Sequence, residues 1–166
     1  MTISSKGEPV YAITLHQPWA SLIALGVKTV ETRSWPAPAR LVGRRIAVHA
    51  GKRLVRRPGD AIERELRARW GEEWRVIIPT GAVVATAVLA GMGRVERADL
   101  PEGYAVHDPA TEIGCAAGTG LTPIDPWGDF SCGRWLWFLD DVEALPEPVP
   151  AVGRQSFWRW VESDAV

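Results

Sequence analysis

Five short runs dominate the chain: VYAITL (10–15), KTVETRS (28–34), RIAVHA (45–50), GAVVATAVLAG (81–91) and RWLWFL (134–139). Each is rich in β-branched or aromatic residues, and glycine, proline or charged residues interrupt the chain between them. Apolar residues delivered in pieces this short bury themselves by pairing as strands. The longest mainly apolar stretch, 82–92, is well short of the ~18 residues that a membrane helix needs. Residues 1–10 contain Lys6 but no apolar core behind it, so no secretory signal is expected.

Two helices fit between these strands. Trp19, Leu22, Ile23 and Gly26 fall at i, i+3, i+4 and i+7, which predicts a short amphipathic helix over 18–25. Pro18 suits its first turn and Gly26 its end. A second helix is expected from Asp60, as N-cap, to about Trp74, with Ile62, Leu66 and Arg69 or Trp70 facing inward. Its other face carries opposite charges four apart, Glu63–Arg67 and Glu65–Arg69, as a solvated face does. The WPAPA stretch at 35–39 is a loop, because two prolines forbid ladder hydrogen bonds there. Residues 97–124 form a long mixed connection, and LPEPVP (145–150) is an extended edge segment. The expected class is therefore α+β, a mainly antiparallel or mixed sheet or small barrel. With 166 residues and no linker or repeat, a single domain over 1–166 is expected, with a helical insertion at about 59–75.

The net charge of −1 hides an asymmetry. Residues 1–80 carry 14 Lys/Arg against 7 Asp/Glu, a balance of +7; residues 81–166 carry 5 against 13, a balance of −8. Between Lys28 and Arg57 nine basic residues face one acid, Glu31. Arginine outnumbers lysine 16 to 3, which suits bidentate recognition of phosphates or bases. Charge alone leaves a polyanion site and two mutually neutralising halves equally open. The nine tryptophans are core or rim packing in one reading and stacking platforms for bases in the other. Two cysteines, Cys115 and Cys132, are too few for a disulfide scaffold and point to a reducing, cytoplasmic setting.

The informative block is 13–51, ITLHQPWASLIALGVKTVETRSWPAPARLVGRRIAVHAG. Within it Gly26, Lys28, Glu31 and Arg33 form a G-x-K-x-x-E-x-R pattern, preceded by HQPWAS and followed by Trp35. A later stretch, GDFSCGRWLW (128–137), ends in G-R-x-x-W, and the tail reads LPEPVPAVGRQSFW. These segments resemble the ASCH domain, a family related to the PUA RNA-binding domains. The resemblance implies a PUA-like small β-barrel with flanking helices and a cleft lined by the motif lysine and glutamate. Family members are described as RNA or DNA binders, as ribonucleases and as N4-acetylcytidine amidohydrolases. The amidohydrolase branch carries a Lys-Thr-x-Thr motif, and Glu31 stands where its second threonine would be.

Read without the family, a strand over 28–34 puts Lys28 on one face and Glu31 and Arg33 on the other. Lys28 then meets Glu31 only if the chain twists just after Gly26; otherwise the two are solvated charges on an edge strand. His16, Gln17 and Trp19 sit at the turn into the first helix, where a phosphate or a base carbonyl could be received, and are counted as ligand-binding candidates. Gln17 can offer donor and acceptor to a base edge or cap the backbone. Trp19 reads as core and Trp35, on its loop, as the stacking candidate. Ser131 and Arg134 complete the cleft if the C-terminal half folds back beside the first strands. Arg44, Arg45 and Arg53 are the phosphate candidates, and His49 is expected to be buried. His107 lies in the long connection and is assigned no role. No metal-ligand spacing, Walker loop or nucleophile elbow is present, and no cofactor is expected. The leading reading is a protein that binds RNA or single-stranded nucleic acid, or a nucleoside-like small molecule, in a nucleobase-sized cleft. The alternatives are a hydrolase of the same fold, a ribonuclease or N4-acylcytidine amidohydrolase with Lys28 and Glu31 as its catalytic pair, and a protein-interaction module.

Overall fold

The structure, a computed structural model, describes the backbone of residues 9–100, 103–107 and 127–161, and the side chains of 9–96 and 127–161. In chain order the elements are β1 (Val10–Gln17), α1 (Trp19–Ala24), β2 (Val30–Arg33), β3 (Arg45–Leu54), α2 (Asp60–Trp70), α3 (Trp74–Ile77), β4 (Ala82–Leu100), β5 (Gly103–His107), β6 (Trp135–Pro150) and β7 (Phe157–Trp160). A 3-10 turn at Ala39–Leu41 follows the proline loop. The strands are ordered β2-β6-β4-β3-β1-β7, with β5 pairing β4. The sheet is mixed: β1 runs parallel to β3, whereas β7 lies antiparallel to β1 and β2 antiparallel to β6.

The described residues fall into two compact units. The first holds the residues up to Val27, Arg45–Ala87 and those from Val142 on; the second holds Lys28–Arg44 and the described part of Val88–Asp141. Strands β4 and β6 each contribute one segment to either unit.

In the first unit the register pairs Ala12 with Ala47 and Thr14 with His49, so these four continue one face. Ala12 and Ala47 are buried with Val83 and Trp160, and Val10, Leu145, Val149 and Trp158 pack around them. Alanines at the centre leave room for two indoles, the large-against-small pairing that fills a layer. α1 packs on β1 and β3 and buries Ala20, Leu22 and Ile23. Its end is where the spacing expects it, with Gly26 in the left-handed region at φ +73°. In β6, Pro146, Pro148 and Pro150 recur every second residue, so every missing N–H falls on one strand edge. The other edge keeps its donors, and Ala151 N–H just beyond it bonds Gly81 O at 3.0 Å.

Several boundaries differ from the sequence expectation. Asp60 is the first helical residue and Gly59 is the N-cap; Asp60 makes no side-chain capping bond. The helix expected to run to Trp74 stops at Trp70, because Gly71 takes φ +72° and donates back to Arg67 O. Three residues later Trp74, fully buried, starts α3. The strand expected over 28–34 is confined to Val30–Arg33. The segment expected to open the 97–124 connection belongs instead to an antiparallel pair, with Arg94 opposite His107 and Val95 opposite Val106. The remainder of that connection, with Cys115, lies outside the described residues. Within the second unit Val30, Val95 and Leu136 form a small core flanked by Phe130 and Phe138.

Candidate functional site

Lys28 decides the geometry of the second unit's polar site. The strand begins only at Val30, so Lys28 is not held to strand pleating and its side chain can turn back. Its ammonium donates to Val30 O and lies 3.7 Å from Glu31 Oε2. Glu31 is contacted from the other side by Arg33, with Nε 3.0 Å from Oε1. Lys28 is 1% exposed and Glu31 9%. The alternative of two solvated edge-strand charges is therefore set aside, although β2 is an edge strand of the sheet. One acid between two bases leaves the cluster with a formal charge of +1.

The register then brings aromatics to the same face. Glu31 is paired with Trp137 and Arg33 with Trp135. Trp35, from the proline loop, meets Trp137 edge-to-face at 4.8 Å between ring centroids. The Arg33 guanidinium carbon lies 5.8 Å from the Trp137 ring centre, within cation–π range. Trp35 is half-buried.

Ser131 and Arg134 lie in the same unit on a different structure. Asp129 Oδ1 accepts the Ser131 backbone N–H, while its Oδ2 accepts from Arg134 Nε at 2.6 Å and pairs with Nη2. These bonds, those from Ser131 foremost, hold the Asp129 carboxyl below the usual aspartate range. Asp129 N–H in turn donates to Thr32 Oγ1, and Thr32 points away from Glu31 and Arg33 along the strand. The 128–134 turn thus straps the Thr32 face of β2. Cys132, exposed, donates its thiol to Glu96 O.

The remaining sequence candidates are distributed as follows. Arg44 belongs to the second unit and is exposed. His16, Gln17, Trp19, Arg45 and Arg53 belong to the first unit. Gln17 is fully buried and acts as a brace: its Oε1 accepts Ser21 N–H, and its Nε2 donates to Ser21 Oγ and Pro79 O. Both amide donors are thus taken, and full burial keeps the side chain from a base edge. Trp19 opens α1 half-buried, and His16 is exposed. Arg45 donates to Thr86 Oγ1 and pairs with Glu143 at 3.4 Å, whereas Arg53 is exposed. His49 is 2% exposed, as expected.

Sequence reasoning missed Trp137 and Asp129 as organisers. Trp137 carried a signal in the G-R-x-x-W match; Asp129 carried none, because its partners are set by the turn. Among the described residues no group of His, Cys, Asp or Glu could hold a metal ion, and no helix of the described residues is long and apolar enough to cross a membrane.

A mixed sheet with few helices, carrying a buried Lys–Glu pair at the start of an edge strand, describes an α+β protein. The chain belongs to the ASCH domain family, whose model matches residues 13–124. It is 49% identical over 43 residues to activating signal cointegrator 1 of Mus musculus; the match covers 26% of this chain and 7% of the mouse protein. In fold it is similar to the crystal structure of an ASCH protein from Zymomonas mobilis. The TM-score is 0.50 and the identity 16%, over 93% of this chain and 91% of the other. A point mutant of ZmASCH from the same organism gives a TM-score of 0.46 at 16% identity, over 86% and 76%.

Proposed function

We propose that this chain acts as one functional domain that binds RNA or another single-stranded nucleic acid and receives one nucleobase at Lys28, Glu31 and Arg33. The observation that carries the reading is the burial of Lys28 beside Glu31, one strand register from two tryptophans. A buried ion pair is a weak source of stability, because desolvating both charges offsets most of their attraction. An apolar pair of similar volume would serve the core as well, so the charges call for another use. Glu31 offers a fixed acceptor to a base amine, Arg33 a donor to a base carbonyl or phosphate, and half-buried Trp35 an indole for stacking. Lys28, 3.7 Å away, holds Glu31 in place. The membership of the ASCH family, with its relation to RNA-binding domains, supports the same reading. A cytoplasmic location belongs to the proposal and rests on the cysteine usage.

The test is fluorescence anisotropy of labelled single-stranded RNA oligomers across a salt series, with Trp35→Ala as the site variant. Losing one stacked base costs ~1–3 kcal/mol, so affinity falls about 5- to 150-fold. No affinity at low salt would replace this reading with a protein-interaction module. Incubation with RNA oligomers and N4-acylated cytidines, followed by chromatography, tests the hydrolase. Turnover lost in both Lys28→Met and Glu31→Gln would overturn the binding role.

A further inference from the structure

A cavity lies wholly in the first unit and shares no residue with the Lys28 cluster. It measures about 820 Å3 and is bounded by Thr14, His49, Gly51, Trp158 and the 150–154 segment, with Lys52, Arg154 and Arg159 also lining it. That size is within the range of small-ligand pockets, about 300–1,000 Å3. Thr14 and His49 are register partners, continuing the face of Ala12 and Ala47 beyond the tryptophan core.

The polar groups here are organised. Trp158 Nε1 donates to Thr14 Oγ1 at 3.1 Å, and the His49 ring meets Trp158 edge-to-face at 5.6 Å. His49 Nε2 is 3.0 Å from Ala151 O, which can only accept, so the neutral ring carries its proton on Nε2. Nδ1 is then a buried acceptor, and it has no hydrogen-bond partner among the described residues. A buried polar atom left unpaired costs stability and calls for a reason. Gly153 closes over this pair: a Cβ there would sit 2.7 Å from His49 Nδ1 and 2.9 Å from Thr14 Oγ1. Only a glycine allows the approach.

The charges point one way. No aspartate or glutamate lines the cavity, and Lys52, Arg154 and Arg159 make no ion pair among the described residues. Three cations around an aromatic wall, with glycine backbones at 51, 81 and 153, suit a planar ring that carries an anion.

We propose that this cavity binds a phosphorylated nucleoside, its phosphate held by Lys52 and Arg154 and its heterocycle set against Trp158. The ligand is either a free mononucleotide or the 5′-phosphorylated terminal nucleotide of a strand. The probes are adenosine 5′-monophosphate, adenosine and inorganic phosphate, titrated into 15N-labelled protein while the indole N–H resonances are followed. The monophosphate is expected to shift the Trp158 indole signal and to bind at least 10-fold more tightly than adenosine or phosphate alone. Lys52→Ala/Arg154→Ala, at two exposed positions, is expected to weaken it at least 10-fold, and Arg64→Ala on α2 to leave it unchanged. A tetranucleotide bearing a 5′-phosphate that binds more tightly than the monophosphate supports the site with a strand end as its ligand; weaker binding supports it with the free nucleotide. No Trp158 shift at millimolar monophosphate, phosphate binding as tightly as the nucleotide, or full affinity in the double variant would each overturn the proposal.

Discussion

Removing the charge of Glu31 and removing the charge of Lys28 have unequal consequences, and the inequality follows from burial. At 3.7 Å the pair attracts by about 4.5 kcal/mol in a medium of effective dielectric about 20. Glu31→Gln leaves an ammonium that is 1% exposed and still donates to Val30 O, but has lost the carboxylate beside it. Breaking a buried pair from one side in this way costs ~3–5 kcal/mol. Lys28→Met removes the buried charge, keeps most of the side-chain volume, and leaves Glu31 against Arg33 at 3.0 Å. Its cost is correspondingly about 1–2 kcal/mol, close to one charge-assisted hydrogen bond. The double variant removes both charges and is expected to be more stable than Glu31→Gln alone. Urea unfolding at pH 7, followed by circular dichroism, measures all four proteins, with unchanged m-values licensing the comparison. A Glu31→Gln cost below about 1 kcal/mol, or strictly additive single variants, would refute the reasoning, since only solvated charges behave so.

Arg44 and Arg53 are exposed and carry no ion pair among the described residues, so replacing either with alanine should lower the salt slope of RNA binding by about 0.7. Arg45→Ala, which loses Thr86 and Glu143, should act on stability instead; equal slopes for all three would sink the distinction. Burial depresses the pKa of His49 below its ordinary value, against the raising effect of its bond to Ala151. The unfolded chain therefore takes up the proton first, and stability should fall as pH drops below about 6.5, by at most ~1.4 kcal/mol per unit until the folded pKa is reached. Urea midpoints at pH 7.5, 6.5 and 5.5 should show that slope in the wild type and lose it in His49→Gln. Gly26→Ala and Gly128→Ala separate backbone strain from crowding. Gly26 has φ +73° and nothing within 4 Å, so the first should cost ~1–2 kcal/mol from conformation alone. A Cβ at Gly128 would lie 2.8 Å from Thr32 Cγ2 and 2.9 Å from the Phe130 ring, so the second should cost ~1–3 kcal/mol and loosen the 128–134 turn. Thermal unfolding measures both, and a neutral Gly128→Ala would mean that the turn does not press on Thr32.

Local patterns carried the element types, because strand and helix periods are properties of neighbouring residues. Alternation marked 10–15 and 45–50, the 3.6 period marked α1, and Gly26 marked its end. The family resemblance carried by the G-x-K-x-x-E-x-R motif named Lys28 and Glu31. Local order also misled: a strand over 28–34 would have separated those two side chains, and it was the later start of β2 that brought them together. Only tertiary structure could decide that β1 runs parallel to β3 or that Gln17 is consumed in bracing α1. It alone could bring Trp35 against Trp137, 102 positions along the chain, or close Gly153 over His49. The physical reason is that these contacts join residues far apart in sequence. A pattern read along the chain reports which face of an element is apolar, whereas the partner that covers that face is chosen by the free energy of the whole assembled sheet.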